Sequence, residues 1–265
     1  MTRDSDPVDS RSLKPLAVLE TVARLRGAPV SSLARELAIP VATAHRICVE
    51  LERQSYLQRV PGSRLWTVGH RAIGAASDTL AAAASGAAVD AVLKLLAATS
   101  GELTSFAIRV RDEVRYVASV ESPQELVLSF RAGRRAPLFC TSSGRLFLAQ
   151  ESDGQVMEYL RTAPRPAFTP FTVTEPERLL AIVRTVRAAG HAITEQEYVL
   201  HVVGAAAPVV AADGTFYGAV SIAAPDLRTG HARLEEFLPS LKAAAGRLAE
   251  IFDSDAFFVK VNSKS

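Results

Sequence analysis

Apolar positions at spacings of three and four open the chain. Leu13, Leu16, Leu19, Val22 and Ala23 share one face of a helix predicted from Ser12 to about Gly27, where glycine tolerates the left-handed closing conformation. Ser31 is placed to cap a second, short helix that carries Leu33, Ala34 and Leu37. After the turn Ala38-Ile39-Pro40, a third helix with proline at its first position presents the stripe Ala44, Ile47, Cys48 and Leu51. Two short β-patterned runs, 56–60 and 64–68, flank Pro61-Gly62-Ser63. An alanine-rich stretch then predicts helices over 70–85 and 87–99, parted at Gly86.

From Leu103 the period changes to two. Strands are predicted over 103–110, 114–120 and 126–131, followed by helices over 141–149, 154–163 and 175–189. Strands resume over 191–193, 199–210 and 215–223, with Asp213-Gly214 as a hairpin turn, and an amphipathic helix spans about 230–251. Strands, helices, strands and a closing helix describe an α+β half built on a largely antiparallel sheet.

Composition narrows this picture. At 265 residues, two domains are favoured over one, given ~100–200 residues per domain. Nearly half the residues are apolar, which excludes disorder across the whole chain. No apolar run approaches the ~18 residues of a membrane span, and the polar start is not a secretory signal. Cys48 and Cys140 have neither disulfide nor zinc spacing, so a reducing cytoplasm is the expected compartment. Residues 1–75 hold 11 basic and 7 acidic side chains, whereas the remainder carries a net −2. Such a split suggests that the front end meets a polyanion.

Helix, turn, helix and hairpin in that order read as a winged helix-turn-helix. The outward face of the third helix carries Val41, Thr43, His45, Arg46 and Val49, with Arg53 further on. Short side chains in its first turns would let it enter a DNA major groove. Arg59 and Arg64 flank the hairpin turn and are placed to reach phosphates. The competing readings are a winged fold used for protein contacts and an enzyme fused to a DNA reader. Against catalysis, neither Cys140 nor His191 or His201 has a local base and orienting group, and no phosphate loop, dinucleotide fingerprint or metal spacing occurs. His201, among valines, is expected to be a core or pocket residue.

The stretch from Ser12 to Gly69 resembles the N-terminal domain of the IclR family of bacterial transcriptional regulators. The resemblance rests on Pro40-Val41-Ala42-Thr43-Ala44-His45-Arg46-Ile47, on Leu51, and on the wing end Leu65-Trp66-Thr67-Val68-Gly69. Trp66 and Val68 depart mildly from the family's wing pattern. The second half is similar to that family's GAF-like effector-binding domain in the segments Gly133–Leu138, Ser143–Ala149, Ala206–Val209 and Ser221–Pro225, so the likeness covers about 12–252.

The resemblance implies a tail over 1–11, a winged helix-turn-helix DNA-binding domain over 12–69, a linker helix over 70–87, an effector-binding domain over 88–253 and a tail over 254–265. It implies DNA contacts from Ser32, Val41, Thr43, Ala44, His45, Arg46, Arg59 and Arg64. It also implies an effector pocket from Leu128, Ser142, Ser143, Thr194, Val202, Gly204, Ser221 and Ala223. The expected partners are double-stranded operator DNA, a small-molecule effector and a second copy of the chain, as a homodimer or a tetramer, with no membrane. Whether transcription is repressed or activated stays open. The family often carries an acid where Thr194 stands, a cysteine at Gly204 and a serine at Ala223. Their loss removes metal ligands and implies a metal-free, cofactor-free pocket, larger and less polar, for an organic acid or aromatic effector. Glu195 and Glu197 match acidic positions of the family's loop, with a solvated rim as the alternative reading.

Overall fold

The computed structural model describes residues 13–254 except 85, 123, 125–127, 129 and 131. The tails at 1–11 and 255–265 and most of the strand expected at 126–131 lie outside the described residues. The chain divides into two compact units, 1–78 and 79–265.

The first unit runs α1 (Lys14–Arg24), β1 (Ala28–Pro29), α2 (Val30–Glu36), α3 (Val41–Arg53), β2 (Leu57–Arg59), β3 (Leu65–Val68) and the start of α4 (His70–Ala84). Its small sheet has the order β1-β3-β2. The core joins Val18 and Val22 of α1, Leu33 of α2, Ile47 and Cys48 of α3, and Leu57 and Trp66 of the wing.

Three details differ from the periodicity. On α1 the inward side is Val18, Thr21 and Val22, while Leu13, Leu16 and Ala23 are exposed. Leu16 and Val18 lie two residues, or ~200°, apart on the helix, so one cannot share the other's face. Ser31 does not cap α2. Ala28 and Pro29 pair with Trp66 and Leu65, which holds the chain extended through Pro29, the N-cap, and starts the helix at Val30. Pro40 is likewise the N-cap of α3, with extended ψ, and the first helical residue is Val41.

The junction of wing and α4 is tight. Gly69 N–H donates to the Tyr56 carbonyl (2.8 Å), and Arg71 N–H donates to that of Ser55 (3.1 Å). A Cβ at Gly69 would sit 2.3 Å from the Ser55 oxygen, so only glycine fits. The Arg71 guanidinium lies over the Tyr56 ring and donates to Gln54 Oε1.

The second unit continues with α5 (Ala87–Ser100), β4 (Leu103–Val110), β5 (Glu113–Val120), β6 (Arg135–Pro137), α6 (Ser142–Ala149), α7 (Asp153–Thr162), α8 (Pro176–Ala189), β7 (Ala192–Glu195), β8 (Val202–Val210), β9 (Phe216–Pro225) and α9 (His231–Asp253). Six antiparallel strands form one sheet in the order β6-β5-β4-β9-β8-β7. Alternation along β8 and β9 sends Val203, Ala205, Ala207, Val220 and Ile222 toward α5 and α9. The other face is made of small side chains, including Ala107, Ala206 and Ala219, and packs with α6, α7 and α8. Small residues let α6 approach the sheet closely, and every residue of α6 is buried. Asp213-Gly214 forms the expected turn, with Gly214 at φ +88° and Thr215 N–H bonded to the Asp213 carboxylate.

Candidate functional site

Two groups of side chains were expected to carry function, one in each unit. On α3, Val41, His45 and Arg46 are exposed and Thr43 is half-buried. No carboxylate lies within ion-pair distance of His45 or Arg46 among the described residues. This face therefore offers a cation, an imidazole, a hydroxyl and an apolar side chain within two turns. Ala44 is a correction: it is fully buried, one of the three α3 residues packed into the core, and its side chain reaches no ligand. The resemblance implied it, whereas the helical period had already placed it in the inward stripe with Ile47, Cys48 and Leu51.

Ser32 is half-buried on α2. Arg64 is exposed at the wing turn. Arg59 is exposed but engaged: its guanidinium lies 3.4 Å from Glu52 and stacks over Trp66 at 4.5 Å. Burial pushes the Cys48 thiol up to about 11, so this residue is core packing.

In the second unit, Ser142, Thr194, Val202, Gly204, Ser221 and Ala223 line one cavity on the α6 face of the sheet. Leu103, Ser105, Tyr116, Phe130, Cys140 and Glu197 complete much of the wall. Thr141 positions the helix start. Its hydroxyl accepts from Gly144 N–H (3.2 Å) and donates to the Pro137 carbonyl (2.8 Å). Ser142 is 6 % exposed, faces the cavity, and has no hydrogen-bond partner among the described residues.

Two expected pocket residues stand elsewhere. Ser143 is wholly buried behind the wall, its Oγ without a partner of good geometry. Leu128 is half-buried and does not line the cavity. The cavity is also narrower than the loss of side chains at 204 and 223 implied. Its volume is about 50 Å³, room for a few waters at ~10–15 Å³ each. There is little room at this position: a Cβ on Gly204 would lie 3.1 Å from the Ile222 carbonyl and 3.5 Å from Ser142 Oγ.

For Glu197 the rim reading fails. It is buried, and its carboxylate meets Arg145 of α6 at 2.6 Å. The same arginine donates through Nε to the Phe139 carbonyl (3.1 Å). Glu195 is exposed and paired with His231. His201 is exposed, not a core residue, with Nδ1 3.0 Å from Asp226. Burial, reinforced by the nearby Glu197 charge, pushes the Cys140 thiol up to about 12. It is protonated at neutral pH and is no nucleophile. Burial also pushes the Tyr116 phenol to about 12. Among the described residues no group of three or more His, Cys, Asp or Glu could hold a metal, and no helix is long and apolar enough to cross a membrane.

Sequence reasoning missed the aromatic wall beside the cavity. The Arg134 guanidinium lies 3.7 Å from the Phe130 ring centroid and 5.5 Å from that of Tyr198. Tyr198 in turn meets Phe168 edge-on. Nothing in the periodicity signals these contacts.

Two family models match the chain. The IclR helix-turn-helix domain matches residues 14–61, and the bacterial transcriptional regulator IclR C-terminal domain matches residues 83–250. SauR of Cupriavidus necator is 27% identical over 250 residues, 94% of this chain and 99% of that protein. A solved structure, RHA06195 from Rhodococcus sp. RHA1, is 26% identical and covers 95% of this chain and 98% of that one, with a TM-score of 0.61. The inducer-binding domain of the PobR transcription factor from Acinetobacter, a double mutant solved with 3-hydroxybenzoic acid, is 26% identical. It covers 60% of this chain and 94% of that one, with a TM-score of 0.57.

Proposed function

The chain belongs to the IclR family of DNA-binding transcriptional regulators with a C-terminal ligand-binding domain, and on that premise we propose that α3 reads an operator under control of an organic acid held in the α6 cavity. The observation that carries the DNA half is the exposed, unpaired pair His45 and Arg46, with half-buried Thr43 beside them. Arg46 pairs with a base edge, Thr43 and His45 hold the helix in register, and Val41 meets a thymine methyl. Arg64 contacts phosphate, and Ser32 on α2 faces the backbone that this helix crosses. Arg59 contributes less, because Glu52 already neutralises it. A homodimer places two such helices ~34–36 Å apart on a palindromic site. The exposed Leu13 and Leu16 of α1 are apolar surface that a second copy would cover. The compartment is the cytoplasm, where the DNA is.

Arg46→Ala is expected to weaken operator binding by about 1–3 kcal/mol, roughly 5- to 150-fold. Arg64→Ala is expected instead to lower affinity for all duplexes and to reduce the log–log salt slope by about 0.9. Fluorescence anisotropy on operator and random duplexes at several salt concentrations checks both. A salt-independent affinity would favour the protein-contact reading of the winged unit.

The effector half rests on the unpartnered Ser142 hydroxyl facing the α6 cavity. At roughly 50 Å³ the cavity admits a benzenoid acid only if the aromatic wall moves outward. The PobR domain's aromatic acid supports that class. A ligand at ~100 times its Kd adds about 2.7 kcal/mol to stability, which thermal melting detects. Ala223→Leu, filling the cavity from a half-exposed position, is expected to abolish this shift while leaving the unliganded melting point near that of the parent.

A further inference from the structure

We infer that Arg134 is the residue that makes the effector an anion: it takes the carboxylate of an arylcarboxylic acid whose ring replaces water against Phe130, Tyr198 and Tyr116. This inference rests on the effector-cavity reading above and names what that cavity selects.

Three observations converge. Phe130, Tyr198 and Tyr116 all line the cavity. Arg134 does not itself line the cavity; its half-buried guanidinium lies over two of these lining rings, and its charge also favours the Tyr116 phenolate. No carboxylate stands within ion-pair distance of Arg134 among the described residues, so its charge, half-buried against aromatic rings, has no protein counter-ion there. A guanidinium placed over aromatic rings spends no N–H on a protein acceptor there, and its planar fork matches a carboxylate in bidentate fashion. The ring contacts fix its side chain in advance, so little entropy remains to be lost on binding.

The deep end of the cavity argues the same way. Glu197 already places a carboxylate there, paired with Arg145 at 2.6 Å. Cys140 beside it is a neutral thiol. A second anion at that end would face a like charge in a dry environment, which is unfavourable. Ser142 and Thr194, with the Glu197 carboxylate, suit a neutral or hydrogen-donating end of the ligand. The acid group therefore points toward Arg134, and the ring lies between.

Isothermal titration of the full chain with benzoate and 4-hydroxybenzoate, each against its carboxamide, tests this. The parent protein is expected to prefer acid over amide at least tenfold. Arg134→Gln is expected to erase that preference by weakening the acid and leaving the amide unchanged. Arg134→Lys should keep part of it. A purely structural role for Arg134 would weaken acid and amide alike, and that result overturns the assignment. So does a preference that survives in Arg134→Gln, or a parent protein that binds neither acid. Acid binding that is unchanged in Ala223→Leu would place the ligand elsewhere, which overturns the cavity reading itself.

Discussion

Replacing Glu197 with alanine is expected to destabilise the second unit by about 3–5 kcal/mol, the cost of leaving one member of a buried ion pair uncompensated. Arg145 has 4 % of its side chain exposed and Glu197 10 %, so water cannot take over the lost contact. The carboxylate also accepts from Val173 N–H (3.5 Å), while main-chain carbonyls hold the rest of the loop. Thr172 donates its hydroxyl to the Glu197 carbonyl (2.6 Å), and Thr169 donates its own to that of Gln196 (2.6 Å). Urea unfolding of the full chain gives the loss as a shift of the second unit's transition midpoint. The double variant Arg145→Met, Glu197→Leu separates ion pairing from packing. Removing both charges and keeping apolar volume should recover most of the loss. If Glu197→Ala alone costs less than about 1 kcal/mol, the pair is not what fixes α6 to the β7–β8 loop.

Gly144→Ala is the second large effect. A Cβ there would lie 2.2 Å from the Leu138 carbonyl oxygen and 2.5 Å from its Cα. Both are backbone atoms, so relief requires the 138–141 segment or α6 itself to move. That segment forms the cavity wall at Cys140 and Thr141, and α6 does so at Ser142. A loss of about 3 kcal/mol, the upper end of ordinary overpacking, is expected, together with loss of effector binding. Gly246→Ala is the matched control. Gly246 sits inside α9, and its Cβ would meet nothing within 4 Å. Alanine there should stabilise by up to about 1 kcal/mol, since glycine is the weaker helix former. Thermal melting of the two variants side by side should give shifts of opposite sign.

Much of the architecture was legible because each element carries its own period. The switch from spacings of three and four to alternation at Leu103 is real, and the helices and the other strands of the second unit begin within about three residues of their expected starts, except β6 (Arg135–Pro137), which was not foreseen, and the strand expected at 126–131, most of which lies outside the described residues. What escaped is what depends on contacts between distant residues. The two-residue strand Ala28–Pro29 has no period of its own and exists because Trp66 and Leu65 pair with it. That pairing moved the α2 cap from Ser31 to Pro29. Six of the eight expected cavity residues do meet around one space. Ser143 and Leu128 fall outside it because neighbours in sequence on a helix or loop face different directions. Arg145 and Glu197 are 52 residues apart, and no local pattern couples them. His201 sits between apolar residues yet points to solvent, since its φ of +62° breaks the strand alternation that would have buried it.

The seam at Gly69 has a mechanical consequence. Gln54, Ser55 and Tyr56 directly follow α3, and the opening of α4 is bonded to all three. The wing that lies between the two helices in sequence is therefore bypassed by direct bonds from α4 to the end of α3. The start of α4 and the end of α3 are expected to move as one piece. An inserted residue or a side chain at position 69 is expected to break these bonds and let the two helices shift independently.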